Sequence, residues 1–251
     1  MGSRLRGNER KTHPGRLNSN VSRSGDDHRS VIHLAGIELL PDLSGALYIP
    51  DERTLVAADL HFEKGSSRRT QRLHLPPYDT RSTLTALTTA VARWRPERLI
   101  LLGDSFHDSE GPSRADAEDL DGIDRLGGET DLIWITGNHD PELDARLPGV
   151  IASEVCLGPL TFRHAPEPDA MGEVAGHLHP VAAVVRRGRR LRCRCFAGNG
   201  ERLVMPAFGA YTGGLSVLTQ AFTPLFPEGR FTAWLIGRTA IHRFPGRAIL
   251  P

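Results

Sequence analysis

The chain has 251 residues, 39% of them apolar and 24% charged, with a formal net charge of +1. That length holds one large domain or two small ones, and the balance is that of a soluble globular protein. A charge so near zero argues against a whole-protein field aimed at nucleic acid or a membrane.

The basic residues are almost all arginine, with Lys11 and Lys64 the two lysines. Two readings fit this: bidentate phosphate contacts, or the base composition of the genome. Three cysteines, Cys156, Cys193 and Cys195, argue against a disulfide framework, and Cys193-Arg194-Cys195 lacks zinc-ribbon spacing. The N-terminus is basic without the apolar core of a signal peptide. No run approaches the roughly 20 apolar residues of a membrane span. The expected location is the cytoplasm.

Residues 1–30 carry only Leu5, Leu17 and Val21 as sizeable apolar side chains among Arg, Ser, Asn and Gly. Such a segment buries too little surface to offset its ordering entropy and is expected to be a disordered arm. Residues 31–251 are expected to form one domain. Residues 31–40 and 46–49 read as strands, and 54–58 as a short buried strand ending in Asp59. Residues 79–94 form a helix: Leu84, Leu87, Val91 and Trp94 step by three and four, Asp79 or Thr80 can cap the start, and Pro96 marks the end. Residues 98–102 form the next buried strand, ending in Gly103-Asp104. A second helix is expected over 113–126, stopped by Gly127-Gly128, and a strand over 131–135 runs into Gly137-Asn138-His139-Asp140. Alternating strands and helices predict a parallel sheet whose site lies at the carboxyl ends of the strands. Beyond residue 150 the runs turn short: 160–163, 173–176, 182–187, 191–196, 202–207, 215–219, 231–236 and 240–244. They read as mostly antiparallel strands of a second sheet packed on the first.

Five polar motifs stand around these strands in order: Asp59-Leu60-His61, Gly103-Asp104, Gly137-Asn138-His139-Asp140, His164, and Gly176-His177-Leu178-His179. At a strand end, residues two apart point the same way, so Asp59 with His61, and His177 with His179, can each face one metal ion. Asp104 offers two oxygens able to bridge two ions, and Asn138 an amide oxygen. Each motif alone is more often a turn or a surface feature; the ordered set is the signal. Its nitrogen and oxygen donors suit manganese, iron or zinc better than a thiolate site does.

The set resembles the calcineurin-like metallophosphoesterase superfamily. The blocks 57–65, 102–107, 175–180 and Met205-Pro206-Ala207-Phe208-Gly209-Ala210-Tyr211-Thr212-Gly213-Gly214 resemble its ligase-associated DNA damage response phosphoesterases (PdeM family). The resemblance implies an α/β fold, a four-layer α/β/β/α sandwich of two packed mixed sheets, and a two-metal centre. One metal would take Asp59, His61, Asp104 and His179; the other Asp104, Asn138, His164 and His177. Two divalent ions, manganese foremost, would clamp a phosphate and activate a water for in-line attack. His139 would face the substrate and protonate the leaving oxygen. Asp140 either orients that imidazole or is a turn residue before Pro141. The implied activity is that of a phosphodiesterase acting as a DNA endonuclease in damage repair, associated with a ligase, a helicase and an exonuclease. Self-association is left open. The alternatives are a phosphomonoesterase, a nucleotide or nucleotide-lipid pyrophosphohydrolase, and a non-catalytic scaffold. Glu63 departs from the family pattern, where a small residue is expected. Lys64 either holds a phosphate or is a solvated loop lysine. His107 is within reach of the site. Arg190, Arg192 and Arg194 form either a phosphate-backbone track or a solvated face, and Arg68, Arg69 and Arg72 share that ambiguity.

Overall fold

The computed structural model describes residues 30–69 and 78–251. The expected N-terminal arm lies outside the described residues except for Ser30, and so do Arg72 and His74.

The first sheet takes its strands in chain order: β1 (Ile32–Leu34), β2 (Ile37–Pro41), β3 (Leu47–Ile49), β4 (Thr54–Ala57), β5 (Arg98–Leu102), β6 (Asp131–Ile135) and β7 (Val150–Ala152). Pairing is antiparallel from β1 to β4 and parallel from β4 to β7. The expected single strand over 31–40 is a hairpin, because Ala35 and Gly36 both take left-handed φ (48° and 82°). That is the two-residue turn that suits strand twist, and an apolar run with alanine in the turn conceals it.

Helices α1 (Lys64–Arg69), α2 (Asp79–Trp94), α3 (Gly111–Arg114) and α4 (Ala117–Glu129) belong to this half. Helix α2 ends where Arg95 turns left-handed and bonds Val91 O ahead of Pro96. Asp79 and Thr80 do not cap it. They accept hydrogen bonds from Gly65 N and Glu63 N instead and fasten the loop behind His61. The helix expected over 113–126 is two helices. The second passes through Gly127 and Gly128, and Thr130 N closes its last turn on Leu126 O.

The second sheet contains β8 (Glu154–Leu157), β9 (Leu160–Arg163), β10 (Glu173–Ala175), β11 (Pro180–Arg186), β12 (Arg189–Gly198), β13 (Arg202–Val204) and β14 (Leu215–Ser216), ordered β14-β11-β12-β13-β10-β9-β8. β15 (Thr232–Ile236) adds to β12, and β16 (Ile241–Pro245) to β15. The sheet is mixed, not mostly antiparallel: β9, β10 and β13 run parallel, as do β11 and β14.

Side-chain alternation separates the layers. Val56, Ala58, Ile100 and Leu102 pack against Phe162, Val174, Phe196 and Met205 between the sheets. Leu55, Ala57, Leu99 and Leu101 point the other way, onto Leu87, Val91, Ile123 and Leu126 of α2 and α4. Burial on both faces explains why β4 and β5 read as unbroken apolar runs. The outer face of the second sheet, with Val184, Cys195 and Leu235, lies under Phe222, Leu225, Phe226 and Ile249, which come from short 3₁₀ turns and loops. The Pro206–Gly209 block joins the two sheets. Ala207 bridges Ala58 in parallel, Phe208 N bonds Ala58 O at 2.8 Å, and Gly209 N bonds Asp59 O at 3.2 Å.

Candidate metal centre

Strands β4, β5 and β6 end at one edge, and hydrogen bonding continues past their ends. Asp59 N reaches Gly103 O at 3.2 Å, His61 N reaches Asp104 O at 2.9 Å, and Phe62 N reaches Ser105 O at 2.8 Å. The expected strand-end geometry of Asp59 and His61 is not what forms. β4 stops at Ala57, and both residues have left-handed φ, 55° and 49°. Asp104 (46°), His177 (68°) and His179 (45°) do as well. Non-glycine residues seldom sit there, although Asp and His do so more readily than most.

Three groups of donor atoms converge, each within 4.8 Å: His61 with His107 and His139 at the mouth, and, holding the residues expected as ligands, Asp59 with His61 and His179, and Asp104 with His164 and His177. The latter two adjoin: His61 Nε2 is 4.0 Å from Asp104 Oδ2, and His164 Nδ1 is 3.7 Å from Asp59 Oδ1. Asn138 Oδ1 completes the Asp104 group, 3.0 Å from His164 Nε2. All seven residues named as metal ligands from the sequence therefore meet at one place. Two glycines permit the approach. A Cβ on Gly103 would lie 2.4 Å from the His164 ring, and one on Gly137 would lie 2.2 Å from Asp104 Oδ1.

Backbone carbonyls set the imidazoles. His164 Nδ1–H donates to Leu102 O at 3.2 Å, His179 Nδ1–H to Gly213 O at 3.2 Å, and His139 Nδ1–H to His107 O at 2.9 Å. This turns three Nε2 atoms toward the centre. There His164 Nε2 is crowded by Asn138 Oδ1 at 3.0 Å, His177 Nδ1 at 3.2 Å and Asp104 Oδ1 at 3.4 Å. His179 Nε2 likewise faces Asp59 Oδ1 at 3.3 Å and His61 Nε2 at 3.5 Å. No single proton satisfies such a set, whereas a cation does. His61 Nδ1 is also buried with no hydrogen-bond partner among the described residues. The donor set fits divalent metal.

Protonation agrees. Burial drives the His61 imidazole down to about 3 against the pull of Asp104, leaving a neutral ring. Burial works to raise the Asp104 carboxyl, but His164, the His139 N–H and His61 together hold it at about 2, an anion.

His139 lies at the exposed mouth, stacked on His107 with ring centroids 5.1 Å apart. Its backbone N–H bonds Asp104 Oδ1 at 2.9 Å. Asp140 does not orient the His139 ring, contrary to one of the two readings offered. Its buried carboxylate is taken up by Ser105 N (2.7 Å), Phe106 N (3.0 Å) and Gly137 N (2.9 Å), which tie the third motif to the second. Burial pushes its pKa up to about 6 against those three donors.

The flanking residues resolve unevenly. Glu63 is buried and accepts the Thr80 hydroxyl at 2.8 Å, so the departure from the family pattern packs the loop against α2. Arg194 donates to Ala207 O and Ser44 O and is no part of a track; Arg192 donates to Gly214 O beside the site. His33 and His242 are exposed and belong to none of the donor groups. The carbonyls of Leu102, His107 and Gly213 escape sequence reading, because any residue supplies a carbonyl.

Neither a scan of family models nor one of curated proteins finds a match. Among solved structures, the chain is similar to the Pseudomonas putida nuclease MPE, at 30% identity and a TM-score of 0.67, over 85% of this chain and 100% of that one. It is more distantly similar to Yfce, a phosphoesterase from E. coli, at 17% identity and a TM-score of 0.40, over 76% of this chain and 98% of that one. With the five motifs gathered at one sheet edge and the Pro-Ala-Phe-Gly block joining the sheets there, the chain belongs to the ligase-associated family of calcineurin-like metallophosphoesterases and is a metal-dependent phosphoesterase.

Proposed function

We propose that the protein is a two-metal phosphodiesterase that cuts DNA, an endonuclease of damage repair. The observation that carries this is the pair of adjoining donor groups, whose nitrogen and oxygen atoms crowd inward on one another as metal ligands do. The nuclease title of the Pseudomonas relative supports a polynucleotide substrate.

Asp59, His61, Asp104 and His179 would hold one ion; Asp104, Asn138, His164 and His177 the other. Held there, a pair of dications, manganese foremost, would supply Lewis-acid stabilisation of the phosphate oxygens and a lowered pKa for a water. The chain's own residues do the rest. Asp59 and Asp104 supply two negative charges against four positive ones, so the centre stays attractive to an anionic diester. His139 projects at the mouth with Nδ1–H held by His107 O, which leaves Nε2 to face the leaving oxygen. Asp140 holds the loops of Asp104 and His139 in register through its three backbone bonds. The family resemblance extends the reading to partnership with a ligase, a helicase and an exonuclease.

The test is a manganese-supplemented digest of single- and double-stranded DNA, with His139→Ala as control. Hydrolysis of bis-p-nitrophenyl phosphate is compared with that of p-nitrophenyl phosphate. Cleaved DNA and a preference for the diester are expected. A clear preference for the monoester, or DNA left whole, refutes the reading.

A further inference from the structure

The β11–β12 hairpin leaves the site directly after His179. Its turn, Arg187-Gly188, is left-handed at both residues, with φ of 50° and 73°. From Val185 to Arg192 every residue is exposed, and that stretch holds Arg186, Arg187, Arg189, Arg190 and Arg192 with no acidic residue. Arg186 pairs directly opposite Arg189, a like-charge juxtaposition that weakens a hairpin. Other arginines of this fold have acidic partners: Arg163 has Glu154, Arg53 has Glu97, and Arg146 has Asp144. Arg186, Arg187 and Arg189 make no ion pair among the described residues. Arg190 contacts the terminal Pro251. An anion brought from outside would relieve this repulsion.

The tip also faces usefully. Arg190, Arg192 and Arg194 share a strand face with Phe196, which is buried between the sheets. Arg192 bonds Gly214 O, next to the Gly213 carbonyl that fixes His179. Arg192 and Arg190 thus lead outward from the site to the tip, where Arg186 and Arg189 stand on the opposite strand face. At about 3.3 Å per residue, the arm reaches about 25–30 Å from His179 to its tip, the length of several nucleotides.

We propose that this hairpin grips the phosphodiester backbone of a polynucleotide whose scissile bond lies at the two donor groups. The idea rests on the nuclease reading but is tested apart from it. A fluorescent single-stranded oligonucleotide is titrated by anisotropy in chelator, where no cleavage occurs, across a salt series. Wild type is compared with Arg186→Ser/Arg187→Ser/Arg189→Ser and with the corresponding triple lysine variant. Manganese-dependent hydrolysis of bis-p-nitrophenyl phosphate is measured on all three. With about 0.7 counterions released per phosphate contact, the serine variant flattens the slope of log K against log salt by about 2 and binds about a hundredfold more weakly near 0.1 M salt. The lysine variant keeps the slope, and the small diester is cleaved equally by all. Unchanged binding and slope, an equal loss on the small diester, or tighter binding to anionic phospholipid vesicles than to the oligonucleotide would overturn the proposal. A wild type that binds DNA through the arm yet cleaves none refutes the nuclease reading alone.

Discussion

Replacing Gly137 by alanine tests whether close backbone approach builds the centre. The added Cβ would stand 2.2 Å from Asp104 Oδ1, 2.3 Å from Asp104 N and 2.9 Å from Asp140 Oδ1. Ordinary contact needs about 3.4 Å, so the third motif and Asp104 must separate by about 1 Å. Asp104 cannot withdraw freely, since its carbonyl is bonded by His61 N and its Oδ1 by His139 N. Overpacking of this kind costs about 1–3 kcal/mol. At about 2–4 °C per kcal/mol for a chain of this size, the thermal midpoint falls by about 2–12 °C. A displacement of about 1 Å at a reacting centre costs about 10² in rate, so turnover of bis-p-nitrophenyl phosphate with saturating manganese falls about a hundredfold. Bound metal drops with it, measured by inductively coupled plasma analysis after gel filtration. Gly128→Ala is the control: it lies in α4 with open space where the Cβ would go, and the change is neutral or stabilises by up to about 1 kcal/mol. Wild-type turnover and metal content in Gly137→Ala would refute the claim that this glycine positions Asp104.

His139→Ala lowers diester turnover by about 10²–10⁴ while two metals per chain remain bound, because its ring takes no place in the two groups of expected ligands; loss of metal would overturn its placement. Asp140→Ala strands three backbone N–H groups and destabilises by about 3 kcal/mol, read as a midpoint about 6–12 °C lower in thermal unfolding. Manganese at about 100 times its dissociation constant stabilises the native protein by about 2.7 kcal/mol, a shift that calorimetry detects and that Asp104→Ala suppresses. Ellman's reagent titrates the exposed Cys156 in the native state; the fully buried Cys195, its thiol pushed up by burial, reacts only after unfolding.

Where a sequence period was long, it was legible. Helix α2 shows its buried stripe over four turns, and β5 and β6 are apolar after their first residues, Arg98 and Asp131, so their bounds and the parallel order follow from the letters. The second sheet was not legible in the same way. Strands of three or four residues carry no period, β7 and β8 are largely exposed, and the parallel pairing of β9, β10 and β13 is decided by contacts distant in sequence. At the site, residue types were readable because metal chemistry restricts them. Helpers that act through the main chain or through packing were not: the carbonyls of Leu102 and Gly213, the Asp140 clamp, and Thr80 beneath Glu63 could each have been built with other residues.

The backbone of the two x-in-the-middle motifs explains why a strand-like reading found the right side chains through the wrong geometry. In Asp59-Leu60-His61 and His177-Leu178-His179 the outer residues are left-handed and the leucine between them is not. Leu60 enters the core beside α2, and Leu178 packs toward the outer core of the second sheet. Each leucine anchors its loop while its neighbours are thrown toward the centre, so the alternation of polar and apolar survives without a strand. Together with Asp104, five left-handed residues at about 1–3 kcal/mol each amount to strain on the scale of a domain's whole stability. It persists because every one of them is pinned. Gly209 N binds Asp59 O, His61 N binds Asp104 O, Leu215 N binds His179 O, and His177 N binds the Asp59 carboxylate. Two of those bonds come from beyond residue 205: Gly209 lies in the block that joins the sheets, and Leu215 opens β14 of the second sheet. The second sheet is therefore what holds the first sheet's loops in a conformation they would otherwise leave, and the donor groups exist only where the two sheets meet.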